Sequence, residues 1–376
     1  MPIEIVPYTA EWEPAVRSFN QRLTGQTGPI MFQFSERHVT PWIVPPGDGR
    51  RLYTEAFLAI EDGTAVRGGY NIKTQDFQVD RQVLSIGNLG LPLSEGIVDP
   101  RYGFLGVQLI RDAVRRQPLL YCLGMGGMEN ALPRLLRSFK WAVFPVPFLF
   151  RFSRPGRCLR QIPRLRSTPV RRLACDVLAG TGAAWLGAKL ARVVMSRRGP
   201  RAERCGSESV AHFESWTDET WAAGRADYLF SAVRDSTTME ALYGGPGGPN
   251  FHILKMTRRD KLIGWALVGD TKMKGHRHFG DLRVGSLIDG FARNEDVPAV
   301  IAEATRFLER RGVDLIVSNQ CHKAWLDGLK SSGFMNGPSN FVLALSKNLA
   351  ALVAPWETKN PGYHFNRGDG DGPINL

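Results

Sequence analysis

Residues 92 to 116, PLSEGIVDPRYGFLGVQLIRDAVRR, join an acidic, glycine-punctuated loop to a helix-forming run. A glycine-rich turn that opens a helix presents unpaired backbone N–H groups at the positive end of the helix dipole, so this spacing suits an anion such as a phosphate. Ser94, Glu95 and Asp99 are the side chains within it that can do chemistry. Ser94 has no G-x-S-x-G elbow around it, which argues against a hydrolase nucleophile, and no G-x-x-x-x-G-K-[ST] run suggests a P-loop nucleotidase. His276 and His278 in KGHRHFGD have metal-binding side chains, but two histidines in a charged loop read as a solvated turn. The terminal GDGDG lacks the third ligand and closing Glu of a calcium loop and reads as a polar tail. Cys122, Cys158, Cys175, Cys205 and Cys321 form no C-x-x-C pair and read as buried small hydrophobes in a reducing compartment. No metal is expected.

The elements that must position the loop follow from hydrophobic patterning. IEIVPY reads as a strand and Glu11 to Leu23 as a helix, followed by a Gly- and Pro-rich loop. LYTEAFLAI and AVRGGYNIK flank the turn EDGT as a hairpin, VLSIGNLGL is a third strand, and the helix after the opening loop should stop near Arg116 because Pro118 disfavours its continuation. LLYCLG is a strand, ENALPRLLRSFKW a helix, and AVFPVPFLFRF a last strand, placed at an edge by its two prolines. FHILKM, LIGWALV, LRVGSLIDGFA, PAVIAEATRFLERRG, VDLIVSN, HKAWLDGLKSSGF and NFVLALS repeat the order. Gly69 precedes Trp141 by 72 residues and Gly264 precedes Phe334 by 70, so two copies of one α/β unit are expected in tandem. The expected divisions are 1–152, a connector over 153–206, 207–348, and a tail from 349.

The net charge of +12 is concentrated. Between Arg134 and Arg201 stand sixteen Lys and Arg against one acid, Asp176, which leaves the rest of the chain at −3. A basic segment set into a mildly acidic protein points to an anionic partner. Arg151–Arg172 form an arginine-rich connector, and a helix is expected over Leu173 to Met195, closed by Gly199-Pro200, with Gly180, Ala184 and Ala188 as a small-residue face. That helix is about long enough to cross a bilayer, which takes ~20 residues, but Asp176, Lys189 and Arg192 favour an interdomain helix or a membrane-surface role. The first residues, MPIEIVPYTAEWEPAVRSF, have neither a basic n-region nor an apolar h-region, so a cytoplasmic location is expected, with a peripheral position at the inner membrane face as the variant.

In this order of elements the first copy resembles the GNAT superfamily of acyl-CoA N-acyltransferases. In that superfamily a Q/R-x-x-G-x-G/A turn binds the pyrophosphate of coenzyme A. The matching stretch is Gly103, Phe104, Leu105, Gly106, Val107 and Gln108, with the central glycine kept at Gly106. LLYCLGMGG followed by Glu129-Asn130-Ala131 resembles the strand beside which pantetheine inserts, and Asn130 the frequent Asn of the next helix. Lys140-Trp141 replace the common Gly-Phe pair, which the second copy keeps as Gly333-Phe334. PLSEGIVD, LGMGG, LPRLL, VPFLFRF and RGDGDGPINL are further similar to a tandem-GNAT bacterial subgroup associated with surface polysaccharides.

The resemblance implies an acyltransferase using acetyl-CoA or another acyl-CoA to modify an amine, such as an amino sugar or lipid-linked sugar. It implies an oxyanion donor on the backbone of the LGLPL strand, at Leu91 or Leu93, and a Glu base near that strand, for which Glu95 is the better placed. The superfamily's usual Tyr acid is Leu136 in the first copy and Leu329 in the second, so Tyr121, next to Cys122, is the substitute. In the second copy Glu295 and Asp296 precede Pro298, where acids repel a pyrophosphate and are expected to cap the helix, so the cofactor is expected in the first copy. Arg151–Arg172 would meet an anionic acceptor or a membrane surface. Two other readings remain: a Fem-type aminoacyl-tRNA-dependent transferase, whose tRNA suits the basic segment although few aromatics interleave it, and a non-catalytic scaffold of degenerate GNAT folds.

Overall fold

The computed structural model describes residues 3–27, 33–39, 46–47, 49, 51–198, 203–244 and 251–370. Gly199-Pro200, most of the Gly- and Pro-rich loop and the end of the GDGDG run lie outside them. In chain order the first elements are β1 (Ile3–Pro7), α1 (Glu13–Thr27), β2 (Tyr53–Glu61), β3 (Ala65–Val79), β4 (Gln82–Ser94), α2 (Leu105–Arg116), β5 (Leu120–Gly124), α3 (Ala131–Ser138) and β6 (Ala142–Pro145). Then come β7 (Phe148–Phe152), α4 (Pro155–Gln161), α5 (Pro169–Gly180), α6 (Ala183–Arg198), β8 (Gly206–Val210), α7 (Ser215–Gly224), β9 (Phe230–Ala232) and α8 (Ser236–Tyr243). The remainder are β10 (Phe251–Arg258), β11 (Lys261–Lys272), β12 (Arg283–Ala292), α9 (Val297–Arg310), β13 (Leu315–Asn319), α10 (Lys323–Ser331), β14 (Met335–Gly337), β15 (Val342–Leu345), α11 (Lys347–Leu352), α12 (Trp356–Lys359) and β16 (Tyr363–His364).

The α/β fold is the expected one, built as two compact units that are not consecutive halves of the chain. Unit 1 is Met1–Pro145 with Asn340–Glu357, and unit 2 is Val146–Ser339 with Thr358–Leu376. In unit 1 the strands run β1-β2-β3-β4-β5-β15-β6, all antiparallel neighbours except the parallel pair β4 and β5. In α1 Val16, Phe19 and Leu23 fall at helical spacing and pack on Leu58, Ile60 and Val66. Likewise Leu105, Leu109, Ile110 and Ala113 of α2 are buried against Tyr70, Ile72, Leu89 and Leu120. The helix ends at Arg116, ahead of Pro118, as its sequence predicts.

Unit 2 repeats the plan with the order β14-β7-β13-β12-β11-β10-β8, again with one parallel pair, β12 and β13. Trp265 and Trp325 are its largest fully buried side chains.

Three expectations need revision. AVFPVPFLFRF is two strands, β6 in unit 1 and β7 in unit 2, because Pro145 and Pro147 break the ladder between them. β7 is not an edge strand: it pairs with β13 on one side and β14 on the other. NFVLALS closes the sheet of unit 1, where β15 lies between β5 and β6 with Leu345 opposite Tyr121 and Val342 opposite Gly124. The boundaries at 152 and 207 are therefore replaced by an exchange of strands, and the connector belongs to unit 2. The single helix expected from Leu173 is two, α5 and α6, parted at Gly182, whose φ of +73° only glycine adopts readily. Among the described residues no helix is long and apolar enough to cross a membrane.

Candidate functional site

In unit 1 the parallel strands β4 and β5 pair only where Gly87 faces Leu120 and Asn88 faces Tyr121. Beyond that point β4 continues with β3 as far as Ser94, and β5 continues with β15 as far as Gly124, so a notch opens between them. Gly87 stands at the fork, where a Cβ would come within 2.7 Å of Ile72 and 2.8 Å of Leu120. At the mouth β4 is deformed: its register against β3 slips between Gly69 and Asn71, and Leu91 takes a left-handed φ of +44°. Leu91 is followed by Pro92, a residue that strands accept at bulges. A left-handed leucine is costly, so the structure around it must hold it there. Past Asn88 the β4 backbone groups turned away from β3 face the notch without a strand partner.

Two loops border this notch at the carboxyl ends of its strands, the usual position for ligands in an open α/β sheet. After β4 come two 3₁₀ turns. Ser94 accepts from the Gly96 N–H at 3.0 Å to cap the first, and Asp99 accepts from the Arg101 N–H at 3.0 Å to cap the second. The turns approach so closely at Gly96 that a Cβ there would meet the Tyr102 carbonyl oxygen at 2.5 Å. Gly103 donates to Pro100, and α2 begins with the N–H groups of Val107 and Gln108 both turned back on the Phe104 carbonyl, at 3.1 and 3.3 Å. The N–H groups of Phe104, Leu105 and Gly106 have no partner among the described residues. Phe104 itself is 83% exposed, and a Cβ on Gly106 would touch only Leu135, at 3.7 Å. Three free amides at the start of a twelve-residue helix, with open space beside them, make an anion cradle.

The second loop follows β5. Gly124, Met125, Gly126 and Gly127 all have positive φ, and Asn130 closes the loop by donating its side-chain amide to the Met125 carbonyl at 3.0 Å. Asn130 therefore shapes the loop backbone, and its amide is already engaged.

Glu95 is buried at the start of the first 3₁₀ turn and receives four N–H···O bonds. Arg22 donates to both oxygens at 2.9 and 3.2 Å, and Arg67 to both at 3.0 and 3.2 Å. A carboxylate has about four acceptor sites, so all are filled. Arg67 also donates to Glu61 at 2.8 Å and lies 4.9 Å from the centre of the Tyr102 ring, whose hydroxyl donates to Glu61 at 2.9 Å. This chain of contacts fastens the loop to α1 and to the β2–β3 hairpin. Glu95 is thus built as the loop's anchor, not as a base with a free lone pair. Asp99 is tied to Arg101, which holds its carboxyl below the ordinary carboxylate range.

Tyr121 is fully buried at the fork, its ring edge-on to Phe77 at 5.3 Å. The Leu93 side chain packs in the core with Phe19 and Leu58, so only its backbone can serve the notch. In the turn between β11 and β12 the His276 ring stacks on Phe279 and meets His278 at a tilt, and among the described residues no group of three His, Cys, Asp or Glu is arranged to hold a metal.

The corresponding region of unit 2 is occupied by the chain itself. β12 and β13 pair from Val284 with Leu315 to Leu287 with Ser318, and beyond them the segment from Tyr363 to Asp369 runs in. Asn366 bridges to Gln320, Cys321 donates to the Phe365 carbonyl at 3.1 Å, and the His364 Nε2 lies 2.9 Å from the Gly290 carbonyl. Of the polar tail expected there, the described residues Gly368, Asp369 and Gly370 are buried. Arg234, also buried, donates to Asp289 at 3.1 Å and to both oxygens of Asp369 at 2.9 Å. Burial opposes its charge, yet Asp289 and Asp369 outweigh burial and hold its pKa above the ordinary value. At the start of α9 Asp296 makes no side-chain cap, contrary to expectation. Arg258 donates to it at 2.6 Å instead, and Glu295 pairs with Arg293.

Burial also lowers the pKa of His322 to about 4 and that of His364 well below its ordinary value. Both are neutral when folded, whereas an unfolded histidine takes a proton near pH 6.5. Between about pH 6.5 and 4 the unfolded chain therefore binds protons that the folded one lacks, and stability falls as pH is lowered. The melting temperature is expected to drop across this window, and His322→Gln to flatten the drop. Equal slopes for wild type and variant would refute the assignment.

No family model matches the chain, and no curated protein matches it in sequence. In three dimensions it is similar to the N-myristoyltransferase of Saccharomyces cerevisiae with bound myristoyl-CoA, at 8% identity and a TM-score of 0.52 over 92% of this chain and 83% of that one. A second structure of that yeast enzyme with bound myristoyl-CoA gives 10% identity and a TM-score of 0.50 over 92% and 80%. A tandem GNAT protein from the clavulanic acid biosynthesis pathway gives 12% identity and a TM-score of 0.49 over 92% and 99%. The yeast likeness is one of fold and does not reach a surface-polysaccharide subgroup.

Proposed function

We propose that the protein is an acyl-CoA-dependent N-acyltransferase, with the acyl-CoA held in unit 1. The observation that carries this reading is the pairing of an open β4–β5 notch with three free amides at the start of α2. The amides of Phe104, Leu105 and Gly106 receive the pyrophosphate. The unpaired β4 backbone offers hydrogen bonds to the two amides of the pantetheine arm, which lies in the notch as a strand would. The bulge at Leu91 turns a backbone group toward the thioester, where it can hold the oxyanion formed when an amine attacks. Tyr121 at the fork is the proposed proton donor to the departing thiolate, and the proton lost by the attacking amine, passed through water, restores its hydroxyl. Glu95 serves by keeping the loop in place. An acetyl donor and an amino-sugar acceptor are the specific forms we favour.

A thermal-shift panel of acyl-CoAs tests this directly, because a ligand bound only by the folded state raises apparent stability, by about 2.7 kcal/mol at one hundred times its Kd. At least one acyl-CoA is expected to raise the melting temperature by several degrees. Gly106→Glu should abolish the rise by placing a carboxylate on the cradle. Gly106→Ala should keep the fold, since its methyl group meets only Leu135. A flat response across the panel overturns the reading.

A further inference from the structure

We propose that the helical hairpin formed by α5 and α6 in unit 2 docks on an anionic lipid bilayer. On α5 Val170, Leu173 and Val177 recur at helical spacing and are 77%, 68% and 53% exposed. On α6 Leu186, Leu190 and Val194 do the same at 54%, 59% and 48%, with Trp185 beside them. Eight of the fourteen exposed large hydrophobic residues among those described belong to this hairpin, so the apolar surface is concentrated and not scattered. The small residues Ala184 and Ala188, by contrast, are half-buried, and Cys175 is buried. A helix that served only its own core would bury its leucines; here Leu173, Leu178, Leu186 and Leu190 are all exposed.

The charges around the stripes define the partner. Arg154 and Arg157 are paired with Asp314, Arg166 with Asp176, and Arg151 lies in β7 paired with Glu309, so these four do not carry the connector's free charge. Arg160, Arg164, Arg171, Arg172 and Lys189 are exposed and have no ion pair among the described residues. Lys189 lies 5.0 Å from the Trp185 ring. Apolar stripes fringed by free cations, with a tryptophan at the border, match the boundary between acyl chains and anionic headgroups. Side chains this exposed stand out from the surface and do not line a groove, which favours a deformable bilayer over a shaped protein partner. Neither helix can span, so the hairpin lies in the interface.

The test is flotation of the full chain with vesicles of phosphatidylcholine alone and with ~30% phosphatidylglycerol. Binding is expected to the anionic vesicles, at least tenfold weaker to the neutral ones, and to weaken as salt is raised. Leu173→Gln/Leu186→Gln/Leu190→Gln should lower binding at least tenfold with the melting temperature unchanged, because all three side chains are exposed. Arg171→Glu/Arg172→Glu should lower it and remove most of the salt dependence. Absence of binding to the anionic vesicles overturns the proposal, as does binding indifferent to both variants. A dimer in solution that the leucine variant dissolves, with no vesicle binding, would assign the surface to self-association and overturn it equally.

Discussion

Arg234→Leu is expected to destabilise unit 2 by about 3–5 kcal/mol, the usual cost of removing one partner from a buried ion pair. The guanidinium is 1% exposed and its two acids 3% each, so without it Asp289 and Asp369 face each other with no counter-charge and little water. The Asn366 side chain, which donates to Asp289 at 2.6 Å, can offset only part of the loss. Urea unfolding followed by fluorescence of the buried Trp265 and Trp325 measures the effect. The triple variant Arg234→Leu/Asp289→Asn/Asp369→Asn should be more stable than the single one, because it leaves no unpaired charge behind. If the single variant loses less than about 1 kcal/mol, the triad does not hold the C-terminal segment as described.

Gly96→Ala should remove acyl-CoA binding while leaving most of the fold intact. Its added Cβ would stand 2.5 Å from the Tyr102 carbonyl oxygen, 2.8 Å from its carbon and 3.0 Å from the Gly103 Cα. All three are backbone atoms with no rotamer to relieve the clash, so the two 3₁₀ turns must part and carry Gly103 and Phe104 with them. The expected cost to global stability is about 1–3 kcal/mol, because the cores beneath α1 and α2 do not depend on the turn. The thermal shift with acyl-CoA should vanish. A shift of wild-type size in Gly96→Ala would mean that this loop does not set the cradle.

The features legible in the sequence were those decided by local pattern. The hairpins, α2 and its stop before Pro118, and the glycine-containing turn from Gly103 to Gln108 follow from spacing within some twenty residues. The sheet that a strand joins is not a local property. FLFRF and VLAL are apolar enough for either unit, and only Pro145 and Pro147 signalled that β6 and β7 part company. The role of Glu95 was hidden for the same reason, since its partners Arg22 and Arg67 come from α1 and β3. The C-terminal segment looked polar because of RGD, yet Tyr363 and Phe365 alternate with His364 and Asn366 in the manner of a buried strand. That alternation was the available signal.

The exchange of β7 and β15 also has a consequence in time. During synthesis β5 emerges with its neighbour on one side still unmade, since β15 lies far downstream at Val342–Leu345. Until then unit 1 has an open, apolar strand edge, the kind of surface on which nascent chains pair wrongly. A cut at the boundary expected at 152 would part β7 from β13 and β14 and remove β15 from between β5 and β6.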